Sequence, residues 1–215
     1  MLQLSRDLAR WDPAAATDAR GRFETHHWTK ITGLIAEPLL AQVQEAIRKA
    51  TFTEVVHRGV SPPSVDVCMD PNPTAALLEL LCNDPAVLAA VEAITGCSPL
   101  TRFSGFVYRL SPVNGHHHNW HNDMIQDRRV AMSINLEPEP YEGGVLQIRV
   151  RETEAIIEQV ENVGAGDAIL FRISGALQHR ATPVTTGVKT AFAGWFRSGP
   201  SLREELAHLA TSHAS

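Results

Sequence analysis

The chain has no surplus of positive charge. Its 19 Lys and Arg face 24 Asp and Glu, a formal charge of -5, and nonspecific nucleic-acid binding needs a clustered basic face. No nucleic-acid partner is therefore expected. No apolar run approaches the roughly 18 residues that cross a bilayer, so no membrane partner is expected. The opening Met1-Leu2-Gln3-Leu4-Ser5-Arg6-Asp7 carries an acid and no apolar core, so it does not read as a secretory signal. Cysteine is scarce: Cys68, Cys82 and Cys97 are odd in number and too widely spaced for a zinc ribbon or a redox pair. They read as reduced structural thiols, which together with the missing signal points to the cytoplasm. Internal repeats and linkers are missing as well. With 44% hydrophobic and 20% charged residues the composition is that of a globular chain, and one domain over residues 1–215 is expected. Homo-oligomerisation is unread.

What is present falls into two textures. Residues 1–22 lack a sustained period and are expected to form an arm or a short helix on the surface. Residues 23–100 form a helical support region. Its first strand is expected across His26-His27-Trp28-Thr29-Lys30-Ile31, and a helix from Pro38 to about Ala50 presents Leu39, Leu40, Val43 and Ile47 on one face. Residues 51–60 are β-like until Ser61-Pro62-Pro63-Ser64 breaks them. Two short helices follow, one after Asn72-Pro73 and one capped by Asp84, entered through Pro85 and closed by Gly96. From residue 101 to 198 strands are expected at 103–110, 117–123, 130–136, 145–151, 156–163, 168–173 and 182–196. Short strands at this spacing predict a sandwich or jelly roll, mainly β with flanking helices packed on it. In 199–215, Ser201-Leu202-Arg203-Glu204 resembles a capping box that starts a terminal helix.

The chemistry concentrates at Trp120-His121-Asn122-Asp123. Side chains two apart on a strand share a face, so an imidazole and a carboxylate project together as two corners of a metal site. Two histidines and one carboxylate on one face of an octahedron, with open positions beside them, make a mononuclear non-haem Fe(II) site. With ten histidines in the chain, one His-x-Asp triplet carries little weight by itself. The tract His116-His117-His118 reads as a pocket lip or a plain loop. His179, late in the β-rich half, is the candidate third ligand. Ten positions further, Lys189 stands in an apolar run, where a lysine snorkels at an edge or neutralises a buried anion. Trp120 and Trp195 read as core, and Arg128 and Arg129 as a solvated turn.

The order His121-x-Asp123, Gly143-Gly144-Val145-Leu146, Gly166-Asp167-Ala168-Ile169-Leu170-Phe171, His179-x-x-x-Pro183-Val184-Thr185-x-Gly187-x-Lys189 and Trp195-Phe196 resembles the Fe(II)- and 2-oxoglutarate-dependent dioxygenases of the prolyl-hydroxylase-like branch. The resemblance covers roughly residues 102 to 198. It implies a double-stranded β-helix whose Fe(II) is held by His121, Asp123 and His179, with Lys189 pairing the distal carboxylate of 2-oxoglutarate. Tyr108, on the strand before His-x-Asp, is implied to offer a hydroxyl to 2-oxoglutarate. The stretch from Ser111 to His118 stands as an insertion between them. Ser133 and Asn135 share a parity that faces either the pocket or solvent, and Ser133 is taken as a further 2-oxoglutarate contact. Some relatives carry a serine two positions after the cosubstrate-binding base, where this chain has Ala191. No catalytic group beyond the metal ligands is expected.

The implied reaction splits 2-oxoglutarate with O2 into succinate and carbon dioxide and hydroxylates an unactivated C-H bond. Desaturation and ring formation by the same oxidant stay open. Halogenation is disfavoured, because such enzymes leave vacant the carboxylate corner that Asp123 fills. Lys189 and the net charge also do not match the arginine-rich finish of nucleic-acid demethylases. A non-catalytic cupin-like metal module is disfavoured by the lack of His-x-His at residues 121–123. A small amino-acid-like or natural-product substrate is expected, with a peptidyl or protein side chain as the alternative. Residues 52–72 and 111–118, which should cover the pocket, carry no readable code for its identity.

Overall fold

Alternation along single strands decides which way each sheet faces. In the computed structural model, which describes residues 2–6, 9–58, 63–113, 117–125, 127–201, 203, 204 and 207, the chain begins with β1 (Leu2–Leu4), β2 (Ala9–Trp11) and α1 (Ala16–His26). Next come β3 (Trp28–Ile31), α2 (Glu37–Lys49), β4 (Phe52–His57), β5 (Ser64–Met69), α3 (Pro73–Cys82) and α4 (Pro85–Thr95). The second half supplies β6 (Arg102–Leu110), β7 (Arg128–Asn135), β8 (Glu142–Gly143), β9 (Leu146–Val150) and β10 (Ile156–Val160). It ends with β11 (Ala168–Arg172), β12 (Leu177–Ala181), β13 (Val184–Thr186) and β14 (Lys189–Arg197).

Seven strands make one antiparallel sheet in the order β3-β11-β7-β14-β6-β5-β4, and three make a smaller sheet, β10-β9-β12. On β7, Val130, Met132 and Ile134 join the cluster that contains Leu39, Val43 and Ile47 of α2, Leu78 of α3 and Val91 of α4. Ala131, on the opposite face, packs with Ile148, Val160 and Leu177 of the small sheet. Strand β11 divides in the same way, with Leu170 towards the helices and Ile169 and Phe171 towards the small sheet. The period of two thus builds a jelly roll with helices on the outer face of its large sheet, each large side chain contributing roughly 1.5–3 kcal/mol by leaving water. The cap residues act as expected. Asn72 accepts from the Thr74 N–H at 2.9 Å, Asp84 from Ala86 at 2.8 Å, and Gly96 takes φ +70°.

The structure departs from the sequence expectations in four places. Residues 117–123 are not a strand but an irregular segment pinned by two isolated bridges, His117 to Val65 and His121 to His179. Asp123, at φ +53°, turns the chain out of extended conformation. The run at 182–196 is two strands, because Gly187 at φ +74° breaks it. The first 22 residues hold β1 and β2, and Leu2 and Leu4 are fully buried in the main core rather than lying on the surface. The strand expected from His26 starts at Trp28 instead, because α1 runs through His26 with Phe23 buried on it. At the other end, Ser201 and Glu204 make the reciprocal capping bonds, Glu204 N–H to Ser201 Oγ at 3.2 Å and Ser201 N–H to Glu204 Oε2 at 2.7 Å. Most of 205–215, like His116, lies outside the described residues.

Candidate active site

A cavity of about 570 Å³ opens on the inner face of the large sheet, and His121, Asp123, His179, Lys189, Tyr108 and Ser133 all line it. His121 and His179 exchange both backbone hydrogen bonds, at 3.1 and 2.8 Å. That pairing sets their rings side by side, with centroids 4.3 Å apart. The His121 Nδ1 lies 2.6 Å from the Asn119 carbonyl, which can only accept. Its proton therefore sits on Nδ1, leaving the Nε2 lone pair towards the cavity. Phe171 packs edge-on against the His179 ring, with centroids 4.7 Å apart.

Asp123 completes the cluster. The left-handed conformation it adopts is one that aspartate tolerates better than most residues. Its Oδ2 accepts from the Trp195 indole N–H at 2.7 Å and lies 3.3 Å from His179 Nε2. Its Oδ1 accepts from Arg128 Nη1 at 3.3 Å, and the Arg128 guanidinium lies over the Trp195 ring at 3.4 Å. One donor atom from each of His121, Asp123 and His179 falls within 4.8 Å of the others. Burial, followed by the neighbouring His179, lowers the His121 imidazole to about 4, so it is neutral at physiological pH. Burial pushes the Asp123 carboxyl up, but His179, His121 and the indole N–H outweigh it and hold the group below the ordinary carboxylate range. Two imidazoles and a carboxylate, two of them in the charge state that ligation needs, fit a divalent transition metal.

In the same cavity, Lys189 is buried on β14 and donates to the Gly144 carbonyl at 2.5 Å. Gly144 has φ +64°, and a Cβ there would stand 2.8 Å from Lys189 Cδ, so the lysine passes where only glycine leaves room. Burial lowers the ammonium to about 8, and among the described residues no carboxylate pairs with it. On the neighbouring strands Tyr108 sits opposite Ala191, and Ala193 opposite Ser133. Burial, followed by the Asp66 charge, pushes the Tyr108 phenol above its usual range, with the Ser133 hydroxyl pulling the other way. Ala193 lines the cavity beside these hydroxyls, whereas Ala191 is fully buried in a cluster with Tyr108. Asn135 serves the fold instead, donating to the Val163 carbonyl at 2.7 Å and accepting from the Glu137 N–H at 3.1 Å.

Several residues do more than the sequence suggested. Trp195, expected in the core, holds Asp123, and its parity with Lys189, Ala191 and Ala193 along β14 was the available signal. Arg128, expected in a solvated turn, is a half-buried partner of Asp123. A register shift beside Phe196 and Arg197 hides its facing from parity. Trp120, also expected in the core, is half-buried beneath the guanidinium groups of Arg149 and Arg180, at 4.5 and 4.6 Å. Asp66 was missed altogether. It is fully buried on β5 with the Nε2 atoms of His57 and His118 at 3.0 and 2.9 Å. The alternation Ser64-Val65-Asp66-Val67-Cys68 would have shown it.

Residues 106–197 match the family model described as the 2OG-Fe(II) oxygenase superfamily. A PKHD-type hydroxylase from Maricaulis maris is 34% identical over 92 residues, a stretch that is 40% of this chain and 39% of that protein's length. An oxidoreductase of the 2OG-Fe(II) oxygenase family from Burkholderia pseudomallei superposes with a TM-score of 0.67 at 11% identity, covering 95% of this chain and 100% of that one. A prolyl hydroxylase from Trichoplax adhaerens, in complex with a hypoxia-inducible-factor peptide fragment, gives 0.66 at 15% identity over 86% and 90% of the two chains. At those identities the two structures speak for the jelly-roll fold, and the sequence matches speak for the family. Residues 106–197, somewhat less than half of the chain, thus match the 2OG-Fe(II) oxygenase superfamily, a family that uses Fe(II), 2-oxoglutarate and dioxygen, and the fold around them is similar to that of a prolyl hydroxylase.

Proposed function

We propose that this chain is one catalytic domain, working in the cytoplasm, that hydroxylates an unactivated C-H bond of a small amino-acid-like or natural-product substrate, with release of succinate and carbon dioxide. The observation that carries the reading is Lys189: a buried ammonium with no carboxylate partner among the described residues, in the cavity that also holds the His-Asp-His cluster. A buried charge left without a counter-charge is costly, and a dicarboxylate cosubstrate supplies that counter-charge. In this reading His121, Asp123 and His179 hold Fe(II), Lys189 takes the distal carboxylate of 2-oxoglutarate, and Tyr108 and Ser133 donate hydroxyl hydrogen bonds to it.

The bound iron supplies the activation of dioxygen and the oxidation of 2-oxoglutarate and substrate. The chain's own contribution is placement. Trp195 and Arg128 fix both oxygens of Asp123, the Asn119 carbonyl fixes the His121 tautomer, and Phe106, Ile169 and Phe171 give the cavity an apolar part of its lining. A peptidyl side chain is the second reading, favoured by the peptide bound to the Trichoplax adhaerens relative.

Anaerobic addition of Fe(II) and 2-oxoglutarate tests the assignment, because bidentate chelation of iron gives a weak visible charge-transfer band. The wild type should show the band, Lys189→Ala should weaken 2-oxoglutarate binding, and His121→Ala and Asp123→Ala should lose succinate formation while keeping the fold. No band, or unchanged affinity in Lys189→Ala, would count against it. Substrate-stimulated succinate release then separates small molecules from peptides.

A further inference from the structure

One polar cluster on the cavity wall takes no part in holding metal or cosubstrate. Asp66 is fully buried, and each of its oxygens faces an imidazole, His57 Nε2 at 3.0 Å and His118 Nε2 at 2.9 Å. The Cys68 thiol adds a third, weaker contact at 3.5 Å. Asp66 is thus occupied by the protein itself and is not presented to a ligand. What lines the cavity beside it is two imidazoles, each with Nε2 turned to the carboxylate. The Asp66 hydrogen bond holds the His57 imidazole above its ordinary range despite some burial. Arg58, next in the chain, lines the same cavity, and among the described residues no carboxylate pairs with it. In a chain of net charge -5, two imidazoles and the Arg58 guanidinium thus share this wall with the buried carboxylate of Asp66, and partial enclosure strengthens their pull on an anion.

The rings also set a distance. His118 stands edge-on to His57 with centroids 6.3 Å apart and edge-on to His121 with centroids 6.4 Å apart. His57 is thus two ring steps from the metal cluster, too far to share a ligand atom with it, yet within the span of a small molecule lying across one cavity.

We propose that His57, held by Asp66, and Arg58 form the docking point for a carboxylate on the substrate. The molecule oxidised is then a small organic acid, with its reacting carbon several bonds from the carboxylate. The inference rests on the oxygenase reading for the word substrate, but the anion site itself does not. It adds the sign and position of the substrate's charge, which the likeness to the family leaves open.

The test uses the full chain loaded with Zn(II), which does not turn over, and saturated with 2-oxoglutarate so that Lys189 is occupied. Affinities for isobutyrate and phenylacetate are compared with those for isobutyramide and phenylacetamide, read by quenching of tryptophan fluorescence. The acids are expected to bind about tenfold more tightly than their amides. His57→Gln and Arg58→Ala should each remove most of that preference, while amide and 2-oxoglutarate affinities stay within about twofold. Arg58 is exposed, so its variant keeps the question open to an answer should the His57 variant fold poorly. Equal binding of acids and amides, no binding of either acid, or an acid preference unchanged in both variants would overturn the proposal. Loss of the preference in Lys189→Ala would assign it to the lysine and overturn it too. Failure of the oxygenase reading appears separately, as no 2-oxoglutarate binding to the metal-loaded chain, and the comparison of acid with amide can still be made on the metal-free chain.

Discussion

At the scale of single residues, Lys189 makes a pH signature of its own. Its ammonium is lowered by burial from 10.5 to about 8 in the folded protein. Between those values the unfolded chain binds more protons than the folded one, so the stability of the ligand-free protein rises with pH across that window. Ligand binding runs the other way. A dicarboxylate needs the ammonium, so 2-oxoglutarate affinity should hold below pH 8 and fall by up to about tenfold per unit above it. Lys189→Arg, which stays charged, should flatten the decline; titrations of 2-oxoglutarate from neutral to alkaline pH check both. Trp195 gives a second test. Trp195→Phe keeps an aromatic ring under Arg128 but removes the N–H that Asp123 accepts at 2.7 Å. Loss of a hydrogen bond that orients a ligand should cost roughly 10–100-fold in metal affinity with little change in fold. A Co(II) titration of both proteins reads it, and equal affinities would show that the indole only packs.

At the scale of elements, the turn before β9 determines where the lysine ends. Gly144→Ala places a Cβ at φ +64° and 2.8 Å from Lys189 Cδ. Strain of about 1–2 kcal/mol in the backbone, and displacement of the ammonium, should lower the denaturation midpoint and weaken 2-oxoglutarate binding together. A change in stability alone would mean that the lysine finds another path. The elements also mark where sequence reading succeeds. On β7 and β14 the alternation is strict, and the facing of Ser133 and Lys189 follows from it. The caps Asn72, Asp84 and Gly96 are local and were legible for the same reason. The metal segment was not. His121 and Asp123 share a site because of two backbone bonds to His179 and a left-handed aspartate, neither of which is a property of neighbouring residues. The residues were found from their types and order, while the strand geometry first used to justify them is absent. Arg128 was lost to the register shift beside Phe196 and Arg197, and Asp66 because Ser61-Pro62-Pro63-Ser64 read as a break although β5 starts at Ser64.

At the scale of the whole molecule, the three donor atoms come from two distant parts of the chain. His121 and Asp123 lie in an irregular segment and His179 on β12 of the small sheet, while Asp123 is held in turn by Trp195 of the large sheet. An ion bound by all three ties the two sheets together, and the unfolded chain has no such site. Binding free energy therefore becomes folding stability. A redox-inert divalent ion at a hundredfold excess over its dissociation constant stabilises by about 2.7 kcal/mol. For a domain of this size each kcal/mol moves Tm by roughly 2–4 °C, so the shift should be on the order of 5–10 °C. Asp123→Ala should abolish the shift, because it removes the anionic ligand. His57→Gln should preserve it, since that imidazole faces Asp66 and not the cluster. Thermal melts of the three proteins with Zn(II) and with a chelator distinguish a metal held at the cluster from metal scattered over the chain's ten histidines, which would move all three melts alike.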